Sequence, residues 1–213
     1  MGTINEVPAN YETALRLIDE AHAKDERTAK VREEGEDGKE IPYELHYARK
    51  MTRWLAARKP DASPALQLAC RAQHFRRWEL PRSNYPMTRA GYLTWRAKQK
   101  SVAAAQVAEL LSSSPEIQPP LPREVIDRVA ALVRKENLKD DEETQVLEDV
   151  ACLVFLDDQF DDFESKAEMD EDKIVGILRK TWGKMSGAGH ALALQMELSD
   201  KAKVLIQKAL LQE

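Results

Sequence analysis

The sequence predicts a single all-α domain, and three observations support that prediction. Only 8 of the 213 residues are glycine, and residues that favour helices (Ala, Leu, Glu, Lys and Arg) are frequent. Apolar residues recur at helical spacing, without an alternating strand pattern or a hairpin signature. A length of 213 residues is typical of one domain. The whole chain, residues 1–213, is therefore expected to form one helical bundle.

The first half of the chain is predicted to contain four helices. Asn10 is placed to cap the first helix, and Pro60 ends the second. Ser63 followed by Pro64 begins the third, as a cap with proline in the first turn. The polar segment 32–40 is expected to be a mobile loop. The helices are predicted at 9–28, 43–57, 64–78 and 88–111.

Segments that contain proline are predicted to connect several of the helices. The segment PRSNYP (81–86) is predicted to be an extended or turning loop, because proline restricts the residue before it. The segment 112–122, SSSPEIQPPLP, is predicted to be a proline-rich connection. VACLVFL (150–156) indicates a helix that is buried on nearly every side. The remaining helices are predicted at 123–136 and 142–160, with two or three shorter ones over 170–185 and 189–211.

The composition also predicts the location of the protein. No apolar run approaches the roughly 18 residues that span a bilayer. The N-terminal sequence MGTINEVPANYETA lacks the basic and apolar regions of a signal peptide. Cys70 and Cys152 both lie in apolar helical patterns, which favours a reduced protein over a disulfide scaffold. A cytoplasmic protein without a membrane partner is expected.

The net charge of −5 combines two segments of opposite sign. Residues 71–100 contain eight arginines and lysines and one acid, whereas residues 140–172 contain fifteen acids and one lysine. The basic segment suits phosphates and unstacked bases, and the acidic segment suits a cationic ligand. The alternative is that both are solvated helix faces or simply face each other. The aromatic residues of the basic segment are Trp78, Tyr85, Tyr92 and Trp95.

Two histidines on successive helices, His46 and His74, are followed by adjacent carboxylates at the start of the buried helix, Glu148 and Asp149. This order resembles the helical HD phosphohydrolases, which bind a metal through His, His-Asp and a distant Asp. Phe75 stands where that pattern needs an aspartate, so no metal site is predicted. A metal-dependent hydrolase with His46, His74 and Asp149 as ligands is the alternative.

Glu148 and Asp149 precede a segment that must be buried, so at least one of them is expected at the edge of the core. A carboxylate there needs a partner. A salt bridge to Arg76 or Arg77 is one interpretation, and a functional site is the other. The absence of GxSxG, P-loop, GxGxxG and CxxC motifs argues against an ATPase, a dinucleotide enzyme or a zinc module.

Three blocks are similar to a family of fungal helical proteins: ELHYARKMTRWL (44–55), LACRAQHFRRWELPRSNYPMTRAGYLTWR (68–96) and TQVLEDVACLVFL (144–156). The family includes the arginine-containing cyclodipeptide synthases, and members are often labelled glutamyl-tRNA synthetase. The resemblance implies a fold that is distantly similar to HD domains. It also implies an enzyme that joins arginine and a second amino acid, taken from charged tRNAs, into a cyclic dipeptide (a diketopiperazine). Ala103 lies near the place of a third histidine of the family, which favours a metal-free activity.

The resemblance also implies roles for residues. The partners would be arginyl-tRNA and a second charged tRNA, not DNA, and no cofactor is expected because aminoacyl esters are already activated. Carboxylates at Glu79, Glu148 and Asp149 would bind the guanidinium of arginine. The candidates for catalysis are His74 or His46 as base, Ser83 as acyl acceptor, Glu148 and Asp149. The candidates for tRNA contact are Arg71, Arg76, Arg77, Arg82, Arg89, Arg96, Trp78 and Trp95. A non-catalytic RNA- or tRNA-binding module is a third hypothesis.

Overall fold

The computed structural model of the protein describes residues 3–30, 38–159, 171–196, 198 and 200–211, and it confirms the all-α prediction. The described part is helical except for a small two-stranded antiparallel sheet and connecting turns. None of its helices is long and apolar enough to cross a membrane. In chain order the elements are α1 (Ala9–His22), β1 (Thr28–Lys30), β2 (Glu40–Pro42), α2 (Tyr43–Arg58), α3 (Pro64–Arg71), α4 (Arg89–Ser113), α5 (Arg123–Arg134), α6 (Glu142–Val154), α7 (Glu171–Trp182), α8 (Gly187–Ala193) and α9 (Asp200–Leu211).

The sheet corrects the prediction of a helix over 9–28 and of a chain without strands. α1 ends at His22, and β1 then pairs with β2, with Ala29 opposite Ile41. The side chain of Asp25 joins the segment before β1 to the start of α2, because its carboxylate accepts from the backbone N–H groups of Arg27 and Glu44. Strands of three residues are too short to show an alternating pattern. Most of the predicted loop 32–40 lies outside the described residues.

The third predicted helix, 64–78, is wrong beyond Arg71. α3 begins as predicted, because the Ser63 hydroxyl accepts from the backbone N–H of Leu66. After Arg71 the chain turns, so that the side chain of Phe75 enters the core and its ring packs edge-on against the His22 ring. The segment 72–80 is therefore a loop that contains one 3-10 helical turn, Arg77–Glu79, and carries basic side chains.

Helix α4 is fixed by the loop that precedes it. The Thr88 hydroxyl caps the helix by accepting from the backbone N–H of Gly91. A Cβ at Gly91 would lie 2.2 Å from the carbonyl oxygen of Pro86, so only glycine allows this close approach. The predicted connection 112–122 is confirmed apart from its first two residues, which complete α4.

Helices α5 and α6 are joined by a charged cap. α5 ends at Arg134, followed by Lys135 in the left-handed conformation with φ of 59°. The Asp141 side chain caps α6 by accepting from the backbone N–H of Thr144, and the guanidinium of Arg128 binds Asp141 and Glu143. The predicted helix 142–160 continues beyond α6 as a π-helical turn, Phe155–Gln159.

The apolar side chains form two clusters, with α6 between them. The larger cluster joins α1 to α6 and includes Met51, Leu66 and Leu147. The smaller cluster contains α7 to α9 and the face of α6 that carries Leu153. Three helices close the described chain, as the pattern at 170–185 and 189–211 predicted.

Candidate functional site

An open cleft of about 700 Å³ lies where the loop after α3 meets α4, α6 and the end of α7. Its charged lining is mostly basic, with Arg77, Arg96, Lys135 and Lys184. Glu148 is the one carboxylate among the described lining residues. We call this cavity the basic cleft. It lies where segments distant in the sequence converge, which is where ligand sites are expected.

Glu148 neutralises only part of the basic charge. The Lys135 ammonium contacts the Glu148 carboxylate directly, and the Lys184 ammonium lies 3.9 Å from its second oxygen. Burial opposes the charged form of Glu148, but the two lysines outweigh it and lower its pKa. Burial and the nearby charges of Lys135 and Arg96 lower the pKa of Lys100. The basic cleft therefore has an excess of positive charge.

Arg77 and Arg96 carry that excess. Within the described part of the chain, neither guanidinium has a carboxylate within 4.0 Å. Burial first, and then Arg96, lower the pKa of Arg77. Two half-buried guanidinium groups without a paired anion are unfavourable in the free protein. A bound anion would remove that cost, so the arrangement favours an anionic ligand.

Arg77 also borders a second cavity on the other side of the loop. This groove, which we call the aromatic groove, has a volume of about 820 Å³ and includes Tyr43, Trp78 and Trp95 in its lining. Guanidinium carbons of Arg77 and Arg82 lie 5.3 and 5.9 Å from the Trp95 ring centre. The Trp95 indole N–H donates to the carbonyl of Leu80 over 2.9 Å. Trp95 thus supports the arginines, whereas Trp78 is half-buried in the groove wall.

The imidazole of His74 lines the basic cleft on a strained backbone. His74 and Arg76 have φ of 68° and 47°, in the left-handed region that side chains other than glycine rarely occupy. The Tyr47 ring stacks on the imidazole with ring centres 4.3 Å apart. The Arg77 Nη1 atom lies 3.4 Å from each ring nitrogen of His74. Strain of this kind gathers at functional sites.

Glu44 is a residue of this site that the sequence analysis missed. It is 0% exposed, and one carboxylate oxygen accepts from the Arg27 guanidinium over 2.8 Å. The other oxygen has no hydrogen-bond partner and lies 3.8 Å from Nδ1 of His74. Burial, only partly offset by Arg27, raises the pKa of Glu44 to about 7. In sequence it looks like an ordinary acid in the first turn of a helix, so only its place two residues before His46 could have drawn attention to it.

Residues 12–206 match a family described as a domain of unknown function, DUF4202. The chain belongs to this family. No curated protein and no solved structure matches the chain. All residues that line the basic cleft lie within the matched region. The predicted similarities to HD domains and to cyclodipeptide synthases stay predictions.

Asp149 does not reach the basic cleft. Its carboxylate accepts from the Arg58 guanidinium over 2.8 Å, from the backbone N–H of Ser186 over 2.7 Å and from the Gln145 amide over 3.0 Å. The predicted salt bridge to Arg76 or Arg77 is therefore corrected to one with Arg58. Consecutive residues of a helix point about 100° apart, so only Glu148 of the pair faces the cleft.

The other predicted catalytic residues are dispersed. His46 is buried on α2 and does not line the basic cleft. Ser83 is exposed in a turn and lines neither cavity. The exposed Glu79 carboxylate accepts from the Gln106 amide. Within the described ranges, no three His, Cys, Asp or Glu side chains are arranged to hold a metal ion, so His46, His74 and Asp149 do not form the ligand set of the alternative.

The predicted tRNA contacts fall into separate groups. Arg77 and Arg96 line the basic cleft. Arg82 borders the aromatic groove and donates to the carbonyls of Tyr85 and Pro86 over 2.9 and 2.7 Å, so it also shapes the loop. Arg71 binds Asp19 and the Thr52 hydroxyl away from both cavities. Arg76 lies 3.9 Å from Glu79, and Arg89 is exposed at the start of α4.

These groups define what the site can do chemically. The basic cleft can bind a phosphate or a carboxylate and can stabilise negative charge that develops on an oxygen. His74 is a base of the kind that accepts a proton from an amine. The half-buried Trp78 beside Arg82 can stack on a planar base.

Proposed function

We propose that the protein is an aminoacyl-tRNA-dependent cyclodipeptide synthase that joins arginine and a second amino acid. The observation that supports it is the unpaired pair of guanidinium groups, Arg77 and Arg96, in the basic cleft. Phosphates at the 3′ end of a tRNA would supply the missing negative charge. The similarity of residues 68–96 to arginine-containing cyclodipeptide synthases points to the same substrate.

The aromatic groove provides a place for an unpaired base of that 3′ end. Trp78 offers a ring face, and Arg27 and Arg82 offer cations at the edges of the groove. Base stacking on an aromatic side chain contributes roughly 1–3 kcal/mol per base. Because Arg77 borders both cavities, a phosphate at Arg77 would place the base on one side and the aminoacyl group on the other.

Glu148 is the residue that would recognise the arginine side chain. It is the carboxylate that faces the basic cleft, and its present partners are flexible lysines, Lys135 and Lys184. A guanidinium matches a carboxylate in a bidentate pair, which an ammonium cannot do. An arginyl group entering the cleft would therefore displace at least one lysine. That displacement would leave the lysine to contact a phosphate.

The chemistry requires orientation and charge stabilisation more than activation. An aminoacyl ester is already reactive, so the protein has to align two acyl groups, remove a proton from an α-amine and stabilise an oxyanion. His74 is available for the proton, and Arg77 with Arg96 for the oxyanion. This division of roles needs neither a metal nor ATP.

The test compares Arg96→Ala with Arg123→Ala. The Arg123 side chain is exposed, pairs with Asp127 and lies outside the cleft, so it controls for loss of a surface charge. Each protein is incubated with tRNA, synthetases, ATP and amino acids, and cyclic dipeptides are measured by mass spectrometry. We expect arginine-containing product from the unsubstituted protein and from Arg123→Ala, with a loss of about 100-fold in Arg96→Ala.

Two results would contradict the proposal. One is the absence of product under all amino acid mixtures, and the other is product that survives ribonuclease treatment of the tRNA. Binding of tRNA that weakens steeply with salt, without turnover, would instead support a non-catalytic tRNA-binding module. The unpaired arginines favour that second candidate equally.

A further inference from the structure

The side chains of Glu44 and His74 face each other without a hydrogen bond. The Glu44 oxygen that faces His74 is buried and makes no hydrogen bond, and 3.8 Å to Nδ1 is too long for one. Buried polar atoms without a partner are rare in folded proteins, and a particular case calls for an explanation. Hydrogen bonds of catalytic groups are often long in the free enzyme and shorten only with substrate bound. The unpaired oxygen therefore points to a function for His74.

Neighbouring residues fix the positions of the Glu44 carboxylate and the His74 imidazole relative to each other. Glu44 is held from behind by Arg27, whose guanidinium also binds Asp25. The imidazole is held by the stacked Tyr47 ring, and the left-handed backbone of His74 places it there. The charged and titratable groups that act on the pair come from several elements: Arg27, Asp25, Tyr47, Arg77, Arg96, Lys135 and His22.

We propose that Glu44 is the positioning residue of a catalytic base, His74, whose Nδ1 faces the carboxylate so that Nε2 serves the substrate in the basic cleft. The inference rests on the proposed function for the identity of the substrate. Glu44 selects the tautomer of His74 with the proton on Nδ1. It also stabilises the imidazolium that forms when Nε2 takes a second proton.

The step that the pair serves is attack of one α-amine on the ester carbonyl of the other aminoacyl-tRNA. The nitrogen lone pair forms the C–N bond, and the bond between the carbonyl carbon and the ribose oxygen breaks. A proton passes from the nitrogen to Nε2 of His74 and from there to the departing ribose oxygen. The imidazole returns to its neutral form, so the pair is unchanged at the end of the step.

The cations of the cleft explain why His74 needs such a partner. Burial first, and then Arg77 and Arg96, lower the pKa of His74 well below its ordinary value. A weak base accepts a proton poorly in the transition state. Under the proposal, an ionised Glu44 carboxylate beside Nδ1 counteracts part of this lowering, so that Nε2 is more basic than it is in Glu44→Gln. The arginines can then bind the anion without disabling the base.

The first measurement needs no substrate. ¹⁵N NMR of the histidine rings in the unsubstituted protein, with His74 assigned through His74→Gln, reports which ring nitrogen carries the proton. We expect the proton on Nδ1 above pH 8, where the Glu44 carboxyl, whose pKa burial raises to about 7, is ionised, and a mixture of tautomers in Glu44→Gln at the same pH. A proton on Nε2 in the unsubstituted protein would overturn the proposal, whatever the activity of the protein proves to be.

The second measurement uses turnover. Glu44→Gln is expected to lower kcat at least about tenfold with KM unchanged, and to shift the acid limb of the pH profile to lower pH. Glu40→Gln is the matched control, because Glu40 is exposed on β2 and, among the described residues, its carboxylate accepts a hydrogen bond only from the Thr28 hydroxyl. Unchanged kcat, or a loss of kcat without a shift of the profile, would reject the positioning role. If the protein forms cyclic dipeptide but gives either of these results, the positioning role of Glu44 is rejected and the proposed function still stands.

Discussion

Glu148 and Asp149 are neighbours in sequence with different surroundings. Glu148 faces the basic cleft and contacts Lys135, whereas Asp149 is buried against Arg58 and Ser186. The sequence predicted that at least one carboxylate would lie at the core edge with a partner, and both do. It could not identify the partners, because Arg58 and Ser186 are brought to Asp149 by the packing of α2 and α8 on α6. The sequence therefore predicted that these carboxylates need partners, but it did not predict which residues the partners are.

The buried carboxyl of Glu44 predicts how stability depends on pH. Its pKa is about 7 in the folded protein, against 4.5 as the ordinary value. The folded state therefore binds more protons than the unfolded state between these values, and the free energy of unfolding falls as the pH rises through them. In the Glu44→Gln variant this contribution is absent, so the free energy of unfolding does not fall with pH for this reason. From pH 5 to pH 8 we expect the unsubstituted protein to lose on the order of 2 kcal/mol more than the variant.

Urea unfolding at both pH values measures this difference. Glu40→Gln, at the exposed first position of β2, serves as the control and is expected to follow the unsubstituted protein. The buried His22, whose pKa burial lowers to about 4, is present in all three proteins, so its opposite pH dependence cancels. An identical change from pH 5 to pH 8 in Glu44→Gln and Glu40→Gln would contradict the account of Glu44.

At the scale of elements, α8 is positioned by its contact with Asp149. The Ser186 hydroxyl caps α8, and it also donates to the Asp149 carboxylate. A Cβ at Gly189 would lie 2.9 Å from Asp149 Cγ, whereas a Cβ at Gly187 would meet nothing within 4 Å. We expect Gly189→Ala to lower the free energy of unfolding by about 1–3 kcal/mol through this clash. Gly187→Ala is expected to be neutral or to stabilise by up to about 1 kcal/mol.

The two glycine variants form a matched pair within one helix, and urea unfolding at one pH distinguishes them. Both add a single methyl group, and both raise the helix propensity of α8. Equal stability of Gly189→Ala and Gly187→Ala would mean that α8 does not pack on Asp149 as described.

The elements that sequence patterns missed share a physical cause. The loop 72–80 continues the helical spacing of α3, but the chain turns because Phe75 enters the core beside His22. β1 and β2 are short and depend on Asp25, which contacts residues on both sides of the turn. The long periodic helices were predicted to within a few residues. Tertiary contacts decide where α1 and α3 end, and these contacts are not visible in local sequence.

Across the whole molecule, the segregation of charge was predicted and its arrangement was not. Part of the acidic segment is internal, since Asp157 binds Lys50 and accepts from the Trp54 indole, and residues 160–170 lie outside the described part. The basic segment leaves Arg77 and Arg96 unpaired in the described cleft. The sequence predicted Arg77 within the helix 64–78, whereas the structure places it in the loop after α3, facing α4. Arg96 lies on α4, within the predicted helix 88–111. The fold thus places side chains of the basic segment around a concave site, the basic cleft.

The most direct test of the central claim uses preformed substrates. Arginyl-tRNA carrying ¹⁴C-arginine is purified and mixed with the protein and a second aminoacyl-tRNA, without ATP or synthetases. We predict that the label leaves the tRNA and appears in a cyclic dipeptide, faster with the unsubstituted protein than with Arg96→Ala. Label that stays on the tRNA, or that is released only as free arginine at the rate seen without protein, would contradict the account.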